Sequence, residues 1–147
     1  MSFRDDVGAT KEICSCFKSG LNALARQDKI KIRCEDTTKI NGSVNIDKCL
    51  INQYQHEARW DYAIGYGDRC YFVEIHPAAT SDVATMLNKL NWLKKWLKNQ
   101  SSPLQFNHAG FHWVASGKVK ITPNSPQARK LSSSGINGPK SHCICKQ

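Results

Sequence analysis

Residues 59–98 constrain the fold more than any other part of the chain. RWDYAIGY reads as a strand, Gly67-Asp68 as a tight turn, RCYFVEIH as a second strand, and residues 82–98 as a helix. So short a link makes the strands an antiparallel hairpin. In the helix, Val83, Met86, Leu87, Leu90, Leu93 and Leu97 recur on one face, and an amphipathic face of that kind must be covered. Pro77 is expected to stop the second strand. Thr80 or Ser81 is placed to cap the helix, with Asp82 near its positive end. Ser101-Ser102-Pro103 ends it.

The second strand is mostly apolar, which suits a central position in a sheet. Alternate residues share a face, so Glu74 and His76 point one way with Cys70 and Phe72, and Tyr71, Val73 and Ile75 point the other. Burying Glu74 unpaired is costly, and the same holds for Asp61 on the first strand. A metal ion, a cation or a hydrogen-bond network must compensate. Two carboxylates on neighbouring strands suit the oxygen chemistry of Mg²⁺ or Mn²⁺. Such an ion polarises a phosphate and acidifies a bound water. His76 is then a candidate third ligand or proton acceptor. The plainer outcome is a Glu74–His76 or Glu74–Lys89 pair that only satisfies a buried sheet.

Around this unit, Ile13, Phe17, Leu21, Leu24 and Ala25 predict a helix over residues 11–27. KIKIRC predicts a strand at 29–34 with Ile30 and Ile32 inward, and Asn41-Gly42 predicts a turn. Residues 44–57 are ambiguous, since Ile46, Leu50, Ile51 and Tyr54 suit a short helix. Strands are expected at 110–116 and 118–122, with Gly117 turning between them. From Pro123 the chain is rich in Pro, Ser, Gly and Asn and poor in apolar residues. The expected organisation is an α/β domain over 1–122, a mixed central β-sheet flanked by helices, and an extended basic tail over 123–147 that orders on a partner.

Charge is unevenly placed. Up to Asp82 there are eleven Lys and Arg against twelve Asp and Glu; beyond it there are ten basic residues and no acid. The whole net charge of +9 therefore lies in the C-terminal part, which suits a polyanion, nucleic acid above all, or serves only as a solvated basic face. No apolar run reaches membrane-spanning length. The first residues, MSFRDDVGATKE, carry no apolar signal core, so a cytoplasmic location with seven reduced cysteines is expected. Cys14-x-Cys16 and His142-Cys143-x-Cys145 have one residue between their cysteines where zinc sites usually have two to four, so zinc is not expected. Walker-type phosphate loops, HExxH and Gly-x-Ser-x-Gly are all absent from the sequence, which sets aside several large hydrolase classes.

Asp61, twelve residues, then Glu74-Ile75-His76, followed directly by an amphipathic helix, resembles the PD-(D/E)XK, or restriction-endonuclease-like, nuclease superfamily. The resemblance spans about residues 11–116 and implies an αβββαβ core. It implies that Asp61 and Glu74 bind a divalent metal, and it makes Glu12 a candidate for the acid that sometimes joins from the first helix. His76 stands where that family carries Lys. Lys89, on the flank of the apolar face of the following helix, is the candidate to supply the missing cation, as some members do from that helix. The implied function is a small metal-dependent nuclease acting on nucleic-acid phosphodiester bonds. The alternative is an inactive nuclease-like fold that binds nucleic acid or protein within a larger assembly. Trp92 and Trp96 are the candidate surface for a protein partner or a second copy, or for base stacking beside Lys89 and Lys95. His112 can approach the site, but a histidine that serves packing is the expected reading for it.

Overall fold

The computed structural model describes residues 2–147. In chain order the elements are α1 (Phe3–Gly8), α2 (Arg26–Lys29), β1 (Ile32–Cys34), β2 (Ile40–Asn45), α3 (Ile46–Leu50), β3 (Tyr62–Tyr66) and β4 (Arg69–Ala79). They continue with α4 (Val83–Asn99), β5 (His108–Lys120), α5 (Pro126–Ser133), β6 (Ile136–Lys140) and β7 (Cys143–Cys145). The main sheet has the order β2-β3-β4-β5-β6. β2, β3 and β4 form an antiparallel meander, and β5 and β6 then add in parallel. Parallel addition requires crossovers, and α4 and α5 occupy them. This is the mixed sheet with helices that the sequence predicts. β1 and β7 form a separate parallel pair.

The hairpin stands where expected. Gly67 has φ +61°, a conformation that suits glycine in a tight turn. β3 is buried throughout and β4 is buried from Cys70 to Glu74, as strands covered on both faces must be. One face packs on α4 through Met86, Leu90, Leu93 and Leu97, which meet Phe72, Phe111 and Trp113. Full burial of a leucine such as Leu93 contributes about 1.5–3 kcal/mol. The other face carries Tyr62, Ile64, Tyr71, Val73 and Val114, covered by Leu24, Ile32, Cys143 and Cys145. Gly65 lets α1 approach the sheet, because a Cβ there would meet the Phe3 ring and the Asn41 amide. Among the described residues no helix is long and apolar enough to cross a membrane.

Several local expectations are corrected. Residues 11–27 are not a helix. Gly20 takes φ +53°, Lys18 bridges to Ser43 beside β2, and Cys16 is tied to Cys49 on α3. Tertiary ties thus outweigh the helical spacing, and the first helix lies earlier, started by the Ser2–Asp5 capping box. Ile30 is 74% exposed and the strand begins only at Ile32. Asn41-Gly42 lies inside β2, at a register shift rather than a turn. Pro77 does not stop β4, which passes through an irregularity between His76 and Ala78, where a missing N–H is tolerated. The Thr80 hydroxyl accepts the Thr122 N–H instead of capping α4, and the Asp82 carboxylate accepts the Ala79 N–H at 2.8 Å. Gly117 makes no turn, because β5 is continuous.

Residues 123–147 are not an extended tail. β6 hydrogen-bonds along the otherwise open edge of β5, β7 pairs with β1, and Leu131, Ile136, Cys143 and Cys145 are buried. Few apolar residues suffice here because each lands on a waiting surface. The expectation of seven thiols also fails: Cys16 and Cys49 form a disulfide, leaving Cys14, Cys34, Cys70, Cys143 and Cys145 free. Alkylation of the denatured, unreduced protein is expected to label five cysteines, and seven after reduction, read by mass spectrometry. Seven labels without reduction would refute the bond.

Candidate active site

The paired register of β3 and β4 ends at Tyr62 opposite Val73. Immediately beyond it, the two acids take the place of ladder bonds. The Asp61 N–H donates to Glu74 Oε1 at 3.0 Å, and the Ile75 N–H donates to Asp61 Oδ2 at 3.0 Å. Each carboxyl therefore holds a backbone donor of the opposite strand. The Asp61 carbonyl also accepts the Ile46 N–H at 2.8 Å, which ties the site to the start of α3.

Lys89 completes the cluster. It stands between Met86 and Leu90 on α4, at the flank of the buried face. Its Nζ lies 3.0 Å from Glu74 Oε2 and donates to the Arg59 carbonyl at 3.1 Å. Arg59 in turn pairs through Nε with Asp47 Oδ1 at 2.9 Å. Glu74 is 1% exposed, whereas 18% of the Lys89 side chain reaches solvent.

The electrostatics follow from this burial. Loss of solvent pushes the Glu74 carboxyl up to about 8; the Asp61 charge adds to the rise and Lys89 opposes it. Asp61 is also raised, chiefly by burial and further by Asp47, against the pull of the Ile75 N–H and Lys89. Two acids thus share one ammonium, in a place where a second negative charge is disfavoured.

Asp61, Glu74 and Lys89 are brought together; His76 and Glu12 are not. The His76 ring turns to the start of α4, with Nδ1 2.9 Å from the Pro77 carbonyl and 3.9 Å from Asp82 Oδ1. Strand parity puts it on the Glu74 face, but two residues along a strand is about 6.6 Å, and Asp82 is the nearer acid. Glu12 lies in a turn, where it accepts from the Tyr54 hydroxyl at 2.7 Å and the Trp96 indole at 2.9 Å. Trp96 is buried, and Trp92, half-buried, stacks on it with ring centroids 5.8 Å apart. His112 contacts the Ala109 carbonyl and the Tyr71 ring on the opposite face of the sheet.

Sequence reasoning missed Asp47 and Arg59. Their pairing depends on α3 folding back over the entry to β3, and only the charges themselves were visible in advance. Asp61 and Glu74 are the residues able to hold a hard cation. Among the described residues no cluster of three or more His, Cys, Asp or Glu is placed to hold a metal. Two carboxylates are enough for Mg²⁺, which keeps several waters and takes substrate phosphates as further ligands. The donor set suits such an ion in kind, since its oxygens are hard and two acids face one base, although three of its four oxygens already face a protein donor. No family model matches the chain, and neither a curated protein nor a solved structure does.

Proposed function

We propose that this protein is a metal-dependent nuclease of PD-(D/E)XK type that hydrolyses phosphodiester bonds in nucleic acid. The observation that carries the reading is the convergence of Asp61, from the entry to β3, Glu74, from β4, and Lys89, from α4, just past the last paired residues of the β3–β4 ladder. Asp61 and Glu74 would hold Mg²⁺ or Mn²⁺. The bound ion would polarise a phosphate oxygen and acidify a water. Lys89 favours the ionised, metal-binding form of Glu74 and sets positive charge where a pentavalent phosphate gathers negative charge. The meander followed by α4 and parallel β5 supports the resemblance in element order.

The test is cleavage of single- and double-stranded DNA and RNA with Mg²⁺ or Mn²⁺, in the wild type and in Asp61→Asn. Metal-dependent cutting by the wild type and none by the variant is expected. Wild-type-level cutting by Asp61→Asn would end the proposal. A second reading, binding without chemistry, draws on the burial of Glu74 and on its two oxygens being already engaged by Asp61 and Lys89. It predicts salt-sensitive nucleic-acid binding with no cleavage under any divalent metal.

A further inference from the structure

A cleft of about 630 Å³ opens on the face of the sheet turned away from α4. Arg69 and Tyr71 enter it from β4, His112 from β5, Asn137 and Lys140 from β6, and Lys146 from the end of the chain. Its volume lies within the range of ligand pockets, about 300–1,000 Å³. It is separate from the Asp61–Glu74–Lys89 cluster, because Tyr71 and Val114 belong to the other hydrophobic layer.

The side-chain charge of this cleft is one-sided. Arg69, Lys140 and Lys146 line it, and no Asp or Glu does. Among the described residues the basic side chains that lie within 4.0 Å of a carboxylate are Arg59, His76 and Lys89, so Arg69, Lys140 and Lys146 have no carboxylate partner. All three are solvent-exposed, and like charges gathered around a concavity repel one another and draw anions in. The histidines around the cleft respond to the same field. His108 is held below its ordinary pKa by burial and then by Arg69 and Lys94, and His112 by burial and Lys140. Their neutral rings leave the three cations as the source of charge.

We propose that this cleft binds a phosphate group, with Arg69, Lys140 and Lys146 as its counter-charges and the Asn137 amide as a neutral donor. Three cations outmatch a single carboxylate and suit a multiply charged anion whose several oxygens accept from several donors at once. The same chemistry arises from a nucleic-acid backbone or from a free phosphorylated molecule. The proposal stands apart from the nuclease reading, since it involves none of that site's residues.

Isothermal titration with pyrophosphate, at low ionic strength and without divalent metal, tests it. Saturable binding is expected, weakened about tenfold in Arg69→Ala and in Lys140→Ala, the loss of one charge-assisted contact. Lys11→Ala, which removes an exposed charge away from the cleft, should bind as the wild type does. Binding should also weaken as salt rises. Absence of saturable binding, or equal weakening in Lys11→Ala, would overturn the proposal. Repeating the titration with a short single-stranded oligonucleotide present separates the sources. Competition assigns the cleft to a nucleic-acid backbone, and undiminished pyrophosphate binding assigns it to a free phosphorylated molecule.

Discussion

Glu74→Gln is expected to abolish divalent-metal-dependent cleavage and, in the same protein, to remove a large part of the pH dependence of folding stability. The second effect follows from the Glu74 carboxyl, which titrates near 4.5 when exposed and is pushed up to about 8 in the fold. Between those values the folded protein keeps a proton that the unfolded chain has lost. Stability conferred on the protonated fold is complete below the lower value and falls as pH rises toward the upper one, by at most about 1.4 kcal/mol per pH unit. Gln resembles the protonated acid in shape and charge and can still accept the Asp61 N–H. Urea midpoints measured across this range should therefore fall steadily for the wild type and much less for Glu74→Gln. Some slope survives, because Asp61 is raised as well. Mg²⁺ should restore stability to the wild type at the alkaline end, by about 2.7 kcal/mol at a hundred times its dissociation constant. It should do little for the variant, which lacks one of the two anions. Equal slopes in both proteins would assign the buried proton elsewhere, and cutting by Glu74→Gln would remove Glu74 from the chemistry.

The hairpin and α4 were legible in the sequence because their signals are local. A two-residue turn, alternation within RCYFVEIH and the apolar stripe of α4 each depend on neighbours a few positions apart. Asp61 and Glu74 were legible for a different reason: a carboxylate within an apolar strand calls for compensation wherever that strand lies. The identity of the compensating cation was not. Both His76 and Lys89 suit the strand and helix periodicities, and the choice depends on how far α4 stands along β4, a tertiary quantity. The segment over 11–27 misled for a related reason. Its apolar residues recur at helical spacing, yet Ile13 is buried with the α1–α4 layer and Leu24 with the β1–β7 layer. Spacing alone does not say that successive apolar residues share one partner. β6 was hidden because INGPK carries one apolar residue and a proline. Its pairing is supplied by the open edge of β5 rather than by its own sequence.

Lys89→Met and His76→Ala together decide which residue supplies the cation. Methionine keeps much of the lysine's length and apolar stem but removes the charge 3.0 Å from Glu74. If Lys89 stabilises the charge that develops on the phosphate, cleavage should drop by about 10²–10³, as on loss of one preorganised donor. The folding consequence has a definite sign. Lys89 opposes the rise in the Glu74 pKa, so without it the carboxyl holds its proton to still higher pH. Breaking a buried pair costs about 3–5 kcal/mol when the remaining charge stays ionised, but Glu74 escapes most of that at neutral pH by staying protonated. Lys89→Met should therefore fold well near pH 6 and lose stability relative to the wild type as the medium turns alkaline. Lys89→Arg keeps the charge, but a planar guanidinium must reach both Glu74 Oε2 and the Arg59 carbonyl, so partial activity is expected. His76 faces Asp82 and the Pro77 carbonyl, and its removal should leave cleavage within a few fold of the wild type. The reverse pattern, with His76→Ala inactive and Lys89→Met cutting normally, would make Lys89 a packing ion pair and return the cation's role to the strand.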